Sequence, residues 1–388
     1  MNQRIFAALL ILCAAFPTHS QNKEGKKLLS ARYEKLLAFT PDSTKIPRSI
    51  NLKTNTFRGH TSLDWVSGFF AGNLWEIYAL KGDARYEAQA QKWTKFLEKE
   101  QFDRTSHDIG FKMMCSVGNA YKAKKTPEYK AVLIQSAKTL VKRFNPKVGS
   151  IRSWDFNQKI WEYPVIIDNM MNLELLFEAT LLSGDKTYAD IAIKHANTTL
   201  KNHFRPDGSA YHVVVYDSIK GKAKMKITHQ GFADESVWSR GQAWGIYGYT
   251  MAFRYTKDKA YLDQAVKTAK FMMNHKNLPT DGIPYWDLSD KAIPNAARDA
   301  SSAAIMASAL YELYGFTNDR SFLMYAEKIM TSLQTTDYIL PASENAPFIL
   351  AHSTGNWPKK DEIDEPIVYA DYYFLEALLR QKALKKGK

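Results

Sequence analysis

The sequence predicts an all-α chain folded as an (α/α)6 barrel, a toroid of six helical hairpins closed into a ring, with one small surface β-hairpin. Three observations lead there. Twelve stretches carry apolar residues at helical spacing. The connections between them alternate, short then long, as a closed set of hairpins requires. Four short connections repeat one pattern: Gly82-Asp83-Ala-Arg-Tyr86, Gly184-Asp185-Lys-Thr-Tyr188, Lys257-Asp258-Lys-Ala-Tyr261 and Asn318-Asp319-Arg-Ser-Phe322. In it, Gly or Asn closes one helix in the left-handed conformation, Asp caps the next, and the aromatic packs on the turn. Such turns make tight αα-hairpins.

The chain opens on a targeting signal. Arg4 precedes an apolar run from Ile5 to Phe16, and small residues lead to a cut expected after Ser20. The run is too short to span a bilayer, and no later stretch is long and apolar enough. The expectation is therefore residues 1–20 as signal peptide, 21–388 as a single domain, and export with the periplasm as destination. Cys13 raises a lipid-anchored alternative, but Leu12 before it has the wrong size for that processing. Loss of the signal leaves Cys115 as the lone cysteine, which excludes a disulfide framework and a cysteine-built metal site.

Helices are then expected at Gly25–Ala38, Val66–Lys81, Arg85–Lys99, Gly110–Ala123, Pro127–Phe144, Asn169–Ser183, Thr187–Asn202, Ser239–Tyr255, Lys259–Asn274, Ser301–Tyr314, Arg320–Gln334 and Val368–Leu384. The one clear alternation of strand type is Ala210–Tyr216 and Lys224–Thr228 around Asp217–Gly221, read as a surface hairpin and as the only notable β element. Long connections cover 100–109, 145–168, 203–238, 275–300 and 335–367. All of them would lie on one face, where the even-numbered helices begin.

Composition narrows the partner. The net charge of +13 falls to +12 when the signal removes Arg4 and no acid. A basic surface suits an anionic ligand. Nucleic acid is excluded by export and by the lack of a Lys/Arg stripe with interleaved aromatics. An acidic carbohydrate fits, because the 9 Trp and 21 Tyr offer rings for sugars to stack on.

The chemistry-bearing residues collect at the starts of the even helices. They are Asp64-Trp65, Ser106-His107-Asp108, Asp168-Asn169, His229-Gln230 with Trp238, Arg240, Gln242 and Trp244, Asp299 with Ser301 and Ser302, and His352-Ser353 with Asn356-Trp357. Each alone reads as a cap or a core residue; together on one face they read as a site. Asp168, between an apolar run and an amphipathic helix, has two readings. It is an N-cap, or a half-buried acid with a raised pKa, suited to proton transfer. No His-x-x-x-His pair, glycine-rich phosphate loop or serine elbow is present, so neither metal nor cofactor is expected.

Four ordered motifs resemble glycoside hydrolase family 88, the unsaturated glucuronyl hydrolases. They are Trp65-Val-Ser-Gly-Phe-Phe-Ala-Gly, His107-Asp108-Ile-Gly-Phe, Ile167-Asp168-Asn-Met-Met-Asn-Leu, and His229-Gln-Gly-Phe-Ala-Asp234 with Trp238-Ser-Arg240-Gly-Gln242-Ala-Trp244. The resemblance runs from about Phe57 to Arg380. It implies the same (α/α)6 barrel. It also implies action on lyase-generated glycosaminoglycan fragments that end in a 4,5-unsaturated uronic acid, a small anionic substrate. In the family's scheme an aspartic acid protonates C4 and water adds at C5. The hemiketal then opens and releases the partner sugar. Carried over, Asp168 is the general acid/base and Asp108 the second carboxylate. His107, His229, Gln230, Arg240 and Gln242 orient water and substrate. Trp65, Trp238 and Trp244 wall the rings, and Ser353 and Asn356 hold the substrate carboxylate. The stretch His352–Pro358 departs from members that carry a second Ser and a Lys there; Asn356 and Pro358 stand in those places. Two alternatives stay open at this point: the related hydrolases of unsaturated pectin fragments, and a non-catalytic glycan-binding toroid.

Overall fold

The computed structural model describes residues 19–386, and twelve helical runs organise it. They are α1 (His19–Ala38), α2 (Ser67–Lys81), α3 (Ala84–Lys95), α4 (109–124), α5 (Pro127–Leu140), α6 (Asn169–Ser183), α7 (Thr187–Asn202), α8 (Ser239–Thr256), α9 (Lys259–Met273), α10 (Ala300–Thr317), α11 (Arg320–Leu333) and α12 (Val368–Lys386). The expected helices over Arg85–Lys99 and Pro127–Phe144 end sooner, each followed by a 3-10 turn. In α4 the middle turn, Met114–Gly118, is π-helical. The basic start and apolar run of the expected signal lie outside the described residues. The expected cut after Ser20 falls in the first turn of α1.

The repeated turn is built as its residues dictate. Gly82, Gly184, Lys257 and Asn318 take φ of 72°, 79°, 59° and 55°. The following aspartates accept from the backbone N–H of Arg85, Thr187, Ala260 and Ser321 at 2.9, 2.9, 2.9 and 3.0 Å. Tyr86, Tyr188, Tyr261 and Phe322 are buried on the turns. Lys257 adopts the left-handed conformation without being Gly or Asn. The cap and the buried ring outweigh the steric cost there.

Six helices form the inner ring: α2, α4, α6, α8, α10 and α12 each pack on the next, and α12 closes on α2. They are apolar nearly all round, as helices buried on every side must be; α10 opens with Ala300-Ser-Ser-Ala-Ala. The outer helices are amphipathic and lie against them. At the far end of the ring from the long loops, Arg254 (α8) bonds Glu174 (α6) and Glu312 (α10) at 2.6 Å each, and Arg380 (α12) reaches Glu312 at 2.9 Å. Burial alone would raise the Glu312 carboxyl, but the two guanidinium groups hold it down at about 2.

The β content corrects the expectation of a single surface hairpin. The hairpin around Asp217 is present as β6 (Val213–Tyr216) and β7 (Ala223–Ile227), but β6 is buried, and β5 (Tyr163–Ile166) pairs with it to make a three-stranded sheet. Three further hairpins occur: β1 (Ile46–Asn51) with β2 (Thr56–His60), β3 (Phe144–Asn145) with β4 (Ser150–Ile151), and β8 (Ser353–Asn356) with β9 (Asp361–Glu365). Most of these segments are short or mixed in pattern, and pairing partners from distant sequence decide them. The register of β5 on β6 matters for function. Ile166 faces Val213, so the next residues out, Ile167 and His212, also pair, with Ile167 N–H donating to the His212 carbonyl at 3.0 Å.

The loop leading to β8 is pinned from two sides. Arg32 of α1 is fully buried and donates to the carbonyls of Phe348 (2.7 Å), Glu344 (2.7 Å), Pro341 (3.2 Å) and Ala346. Asp371 of α12 accepts from Ile349 N–H at 2.9 Å and Leu350 N–H at 2.8 Å. Replacing Arg32 by Met leaves the Phe348 and Ala346 carbonyls buried without donors. The expected loss is about 3 kcal/mol of stability, visible as a lowered melting temperature.

Candidate active site

The ring brings the starts of α2, α4, α6, α8, α10 and α12 to one end, and Asp168 sits there just before α6. It does not cap that helix with its side chain: its backbone is helical (φ −57°, ψ −26°) and its carboxylate makes no cap hydrogen bond. Oδ2 has no hydrogen-bond partner in the protein. The side chain is 14% exposed, enough for a ligand to reach. Burial raises its pKa to about 7. The Arg240 cation pulls it down, the nearby Asp108 pushes it up, and the Trp244 indole N–H pulls it down. Of the two readings open from sequence, the cap bond is not made, and what the structure shows is a desolvated carboxyl.

Asp108 opens α4 with the same 14% exposure of its side chain. Ser106 donates its hydroxyl to Oδ2, and His107 Nε2 lies 3.3 Å from Oδ1. The His107 tautomer follows from its other nitrogen. Asn172 Oδ1 accepts from Phe111 N–H at 2.8 Å, so its amide NH2 points at His107 Nδ1, 3.1 Å away. Nδ1 is thus the acceptor and the proton sits on Nε2, toward Asp108. Gly110 allows this approach, since a Cβ there would collide with Asn172. His107 was expected to touch substrate; it is fully buried, with Nε2 beside Asp108 and no hydrogen bond made by that nitrogen.

His212 went unnoticed in the sequence. It is a lone polar residue ahead of the apolar run Val213–Tyr216, and only the β5–β6 register places it beside Asp168. Its Nδ1 accepts from the backbone N–H groups of His229 and Gln230, both at 3.1 Å. Nε2 therefore carries the proton and lies 3.9 Å from Asp168 Oδ2. Burial, with the neighbouring His229 and Arg240, keeps the ring far below its ordinary pKa and neutral. The Trp238 ring lies tilted against it at 4.4 Å. Trp154, from the long loop before α6, and Tyr369, at the start of α12, were also unsignalled. Trp154 meets His212 and His229 at 5.9 and 5.2 Å. Tyr369 packs on Trp65 at 5.1 Å.

Arg240 is the fixed cation of the site. It is buried, donates to Asp299 at 2.9 Å, and reaches the carbonyls of Thr354 and Gly355 at 2.5 Å each. Trp238 and Tyr369 flank it at 4.8 and 5.5 Å. Nη1 and Nη2 are committed to these partners, and no hydrogen bond joins Arg240 to Asp168, so it acts on that carboxyl through its field. Gln242 departs further from expectation. Its amide accepts from Ala210 N–H at 2.6 Å and donates to the carbonyls of Ala210 (3.0 Å) and Trp238 (3.3 Å). It braces the backbone two residues before His212 rather than facing a ligand. Trp238 and Trp244 are buried, against Trp65, which keeps a partly open face. Gln230 donates to Gly355 carbonyl at 3.2 Å. His229 is partly open, with its pKa lowered to about 4 by burial and then by the Lys359 charge. Ser353 is buried in β8 with its hydroxyl unpaired. Asn356 accepts from Lys359 N–H at 3.4 Å, so part of its side chain serves the turn.

Comparison with known proteins agrees with this geometry. The family model for Glycosyl Hydrolase Family 88 matches residues 43–275. The chain is 55% identical, over 94% of both sequences, to an unsaturated glucuronyl hydrolase of Formosa agariphila. It is 32% identical, over 84% of both, to an unsaturated chondroitin disaccharide hydrolase of Streptococcus pyogenes. It superposes with TM-score 0.91 and 43% identity on the crystal structure of an unsaturated glucuronyl hydrolase specific for heparin, covering 95% of this chain and 99% of that one. With a buried, unpaired acid at the mouth of an (α/α)6 ring and this likeness along its length, the chain belongs to glycosyl hydrolase family 88.

Proposed function

We propose that Asp168 is the acid and base of a hydration reaction in which this enzyme releases a 4,5-unsaturated uronic acid. The substrate is the non-reducing end of a lyase-generated glycosaminoglycan oligosaccharide. The observation that carries the reading is a carboxyl raised to about 7, 14% exposed, with one oxygen unpaired. Near neutral pH it holds a proton in a useful fraction of molecules and can take one back.

The target is a vinyl ether. Asp168 delivers its proton to C4, and positive charge develops at C5 and the ring oxygen. The Asp108 carboxylate, one edge of the same opening, favours that charge electrostatically. Water attacks C5 and loses its proton to the Asp168 carboxylate, which restores the acid. The resulting hemiketal opens by breaking the bond between C5 and the ring oxygen. That leaves a hemiacetal at C1, which collapses to an aldehyde and frees the partner sugar. One water is consumed and the enzyme is unchanged. A single proton-shuttling acid suffices, unlike hydrolysis at C1 with its two catalytic carboxylates. The neutral His212 ring, with Nε2 3.9 Å from Asp168 Oδ2, backs the acid without adding a charge that would hold it ionised. Trp65 and Trp154 offer ring faces to the sugars.

Likeness to an unsaturated chondroitin disaccharide hydrolase and to an unsaturated glucuronyl hydrolase specific for heparin supports the glycosaminoglycan reading over pectin fragments. A non-catalytic toroid would have no use for a desolvated acid facing an opening. We also propose export through the basic and apolar N-terminal stretch, with cleavage after Ser20. Mass spectrometry of the secreted protein is expected to show Gln21 as the first residue, and a diacylglyceryl Cys13 would contradict it.

Two measurements test the mechanism. Asp168→Asn should reduce turnover by roughly two to four orders of magnitude. Turnover is followed as loss of the ultraviolet absorbance of an unsaturated disaccharide. The melting temperature should stay near wild type, since the side chain makes no cap bond. Near-normal turnover would end the proposal. The pH profile carries a sign. The acid must be protonated to start the reaction, so kcat/KM should fall as pH rises through about 7. Asp108→Asn removes a like charge that raises Asp168, so its descending limb should lie at lower pH.

A further inference from the structure

An aromatic run leads out of the site. Asp168 Oδ2 lies 3.9 Å from His212 Nε2. The Trp154 ring stands edge-on to His212 at 5.9 Å, and Phe156 stacks on Trp154 at 5.0 Å with 26° between planes. His229 touches both, at 5.2 and 5.8 Å. Beneath them Trp161 is 6% exposed, whereas Phe156 is 48% exposed. One face of Phe156 is thus covered and the other left to water. What sets Phe156 apart from other exposed apolar side chains is that it continues an aromatic cluster that begins at His212 and leaves its last ring open. The loop that carries it is anchored: Asp155 pairs with Arg143 at 2.8 Å, and Arg152 donates to the Trp154 carbonyl at 2.9 Å. Phe156 is therefore placed before any ligand arrives.

We infer that Phe156, backed by Trp154, is a saccharide subsite for a ring beyond the disaccharide unit, so that the enzyme favours unsaturated oligosaccharides longer than a disaccharide. The inference rests on the proposed function. The C–H face of a pyranose carries partial positive charge and packs on the negative face of an aromatic ring. The two ring-to-ring steps from His212 to Phe156 each match about the length of one sugar. A chain whose unsaturated end sits at Asp168 passes Trp154 with its second ring and meets Phe156 with a later one.

The test compares an unsaturated disaccharide with the tetrasaccharide of the same glycosaminoglycan. Wild type should show the lower KM for the tetrasaccharide. Phe156→Ala should raise that KM roughly three- to tenfold, leave the disaccharide parameters within experimental error, and keep the wild-type melting temperature. Phe156→Trp should retain the preference. Equal effects on both substrates, or none on either, would overturn the subsite while disaccharide turnover leaves the proposed function standing. Failure to turn over any unsaturated saccharide would overturn the function itself. A second arm reads binding alone, by calorimetry of the tetrasaccharide with the Asp168→Asn protein. Weakening by the same factor on adding Phe156→Ala supports the subsite; unchanged affinity, or no binding, refutes it.

Discussion

Closure of the inner ring takes one carboxyl out of water, and the site is organised around that. Six helices apolar on nearly every side can satisfy their surfaces only by packing on each other in a circle. The circle puts their first turns together at one end, and Asp168 is caught there between apolar walls. Desolvation is the largest influence on it, ahead of any single charge. A carboxyl so placed on an open surface would titrate near its ordinary value and would be a poor proton donor at neutral pH.

The surrounding groups limit this effect without cancelling it. Arg240 is close enough to lower Asp168 through space, but its own hydrogen bonds run to Asp299 and to the β8 backbone. A free guanidinium would form an ion pair with Asp168 and make it a permanent anion. Tied down, it tempers the acid and leaves one oxygen free. The same economy appears in both histidines. His107 and His212 each accept on Nδ1, which fixes the proton on Nε2 and turns that edge toward a carboxylate. Burial keeps both rings neutral, so neither adds a second cation that would hold the acid ionised.

Opposite ends of the ring use charge differently. At the far end Arg254 and Arg380 pair directly with Glu174 and Glu312, and the carboxylates are held ionised. At the long-loop end Arg240 pairs with Asp299, and Asp168 is left without an ion pair to it. The far end staples α6, α8, α10 and α12 together, which lets the near end leave Asp168 Oδ2 unpaired. The long loops supply the rest: the β5–β6 register brings in His212, and the 145–168 loop brings in Trp154.

The sequence by itself determined the helices, their order and the face on which chemistry collects. Helix ends are local: a left-handed residue, an aspartate two residues before the N–H it accepts, and an aromatic on the turn lie within five positions of each other. Asp168 and Asp108 were legible for the same reason, as acids at helix starts on the long-loop face. What only the tertiary structure decided is which side chains look into the opening. Gln242 and His107 belong to the motifs that mark the site, yet their hydrogen bonds are spent on Ala210 and Asn172, residues distant in the chain. His212 and Trp154 carry no motif, and register and loop path alone bring them to Asp168. Hydrogen-bond partners and desolvation arise from contacts between distant segments, and those exist only once the ring has closed.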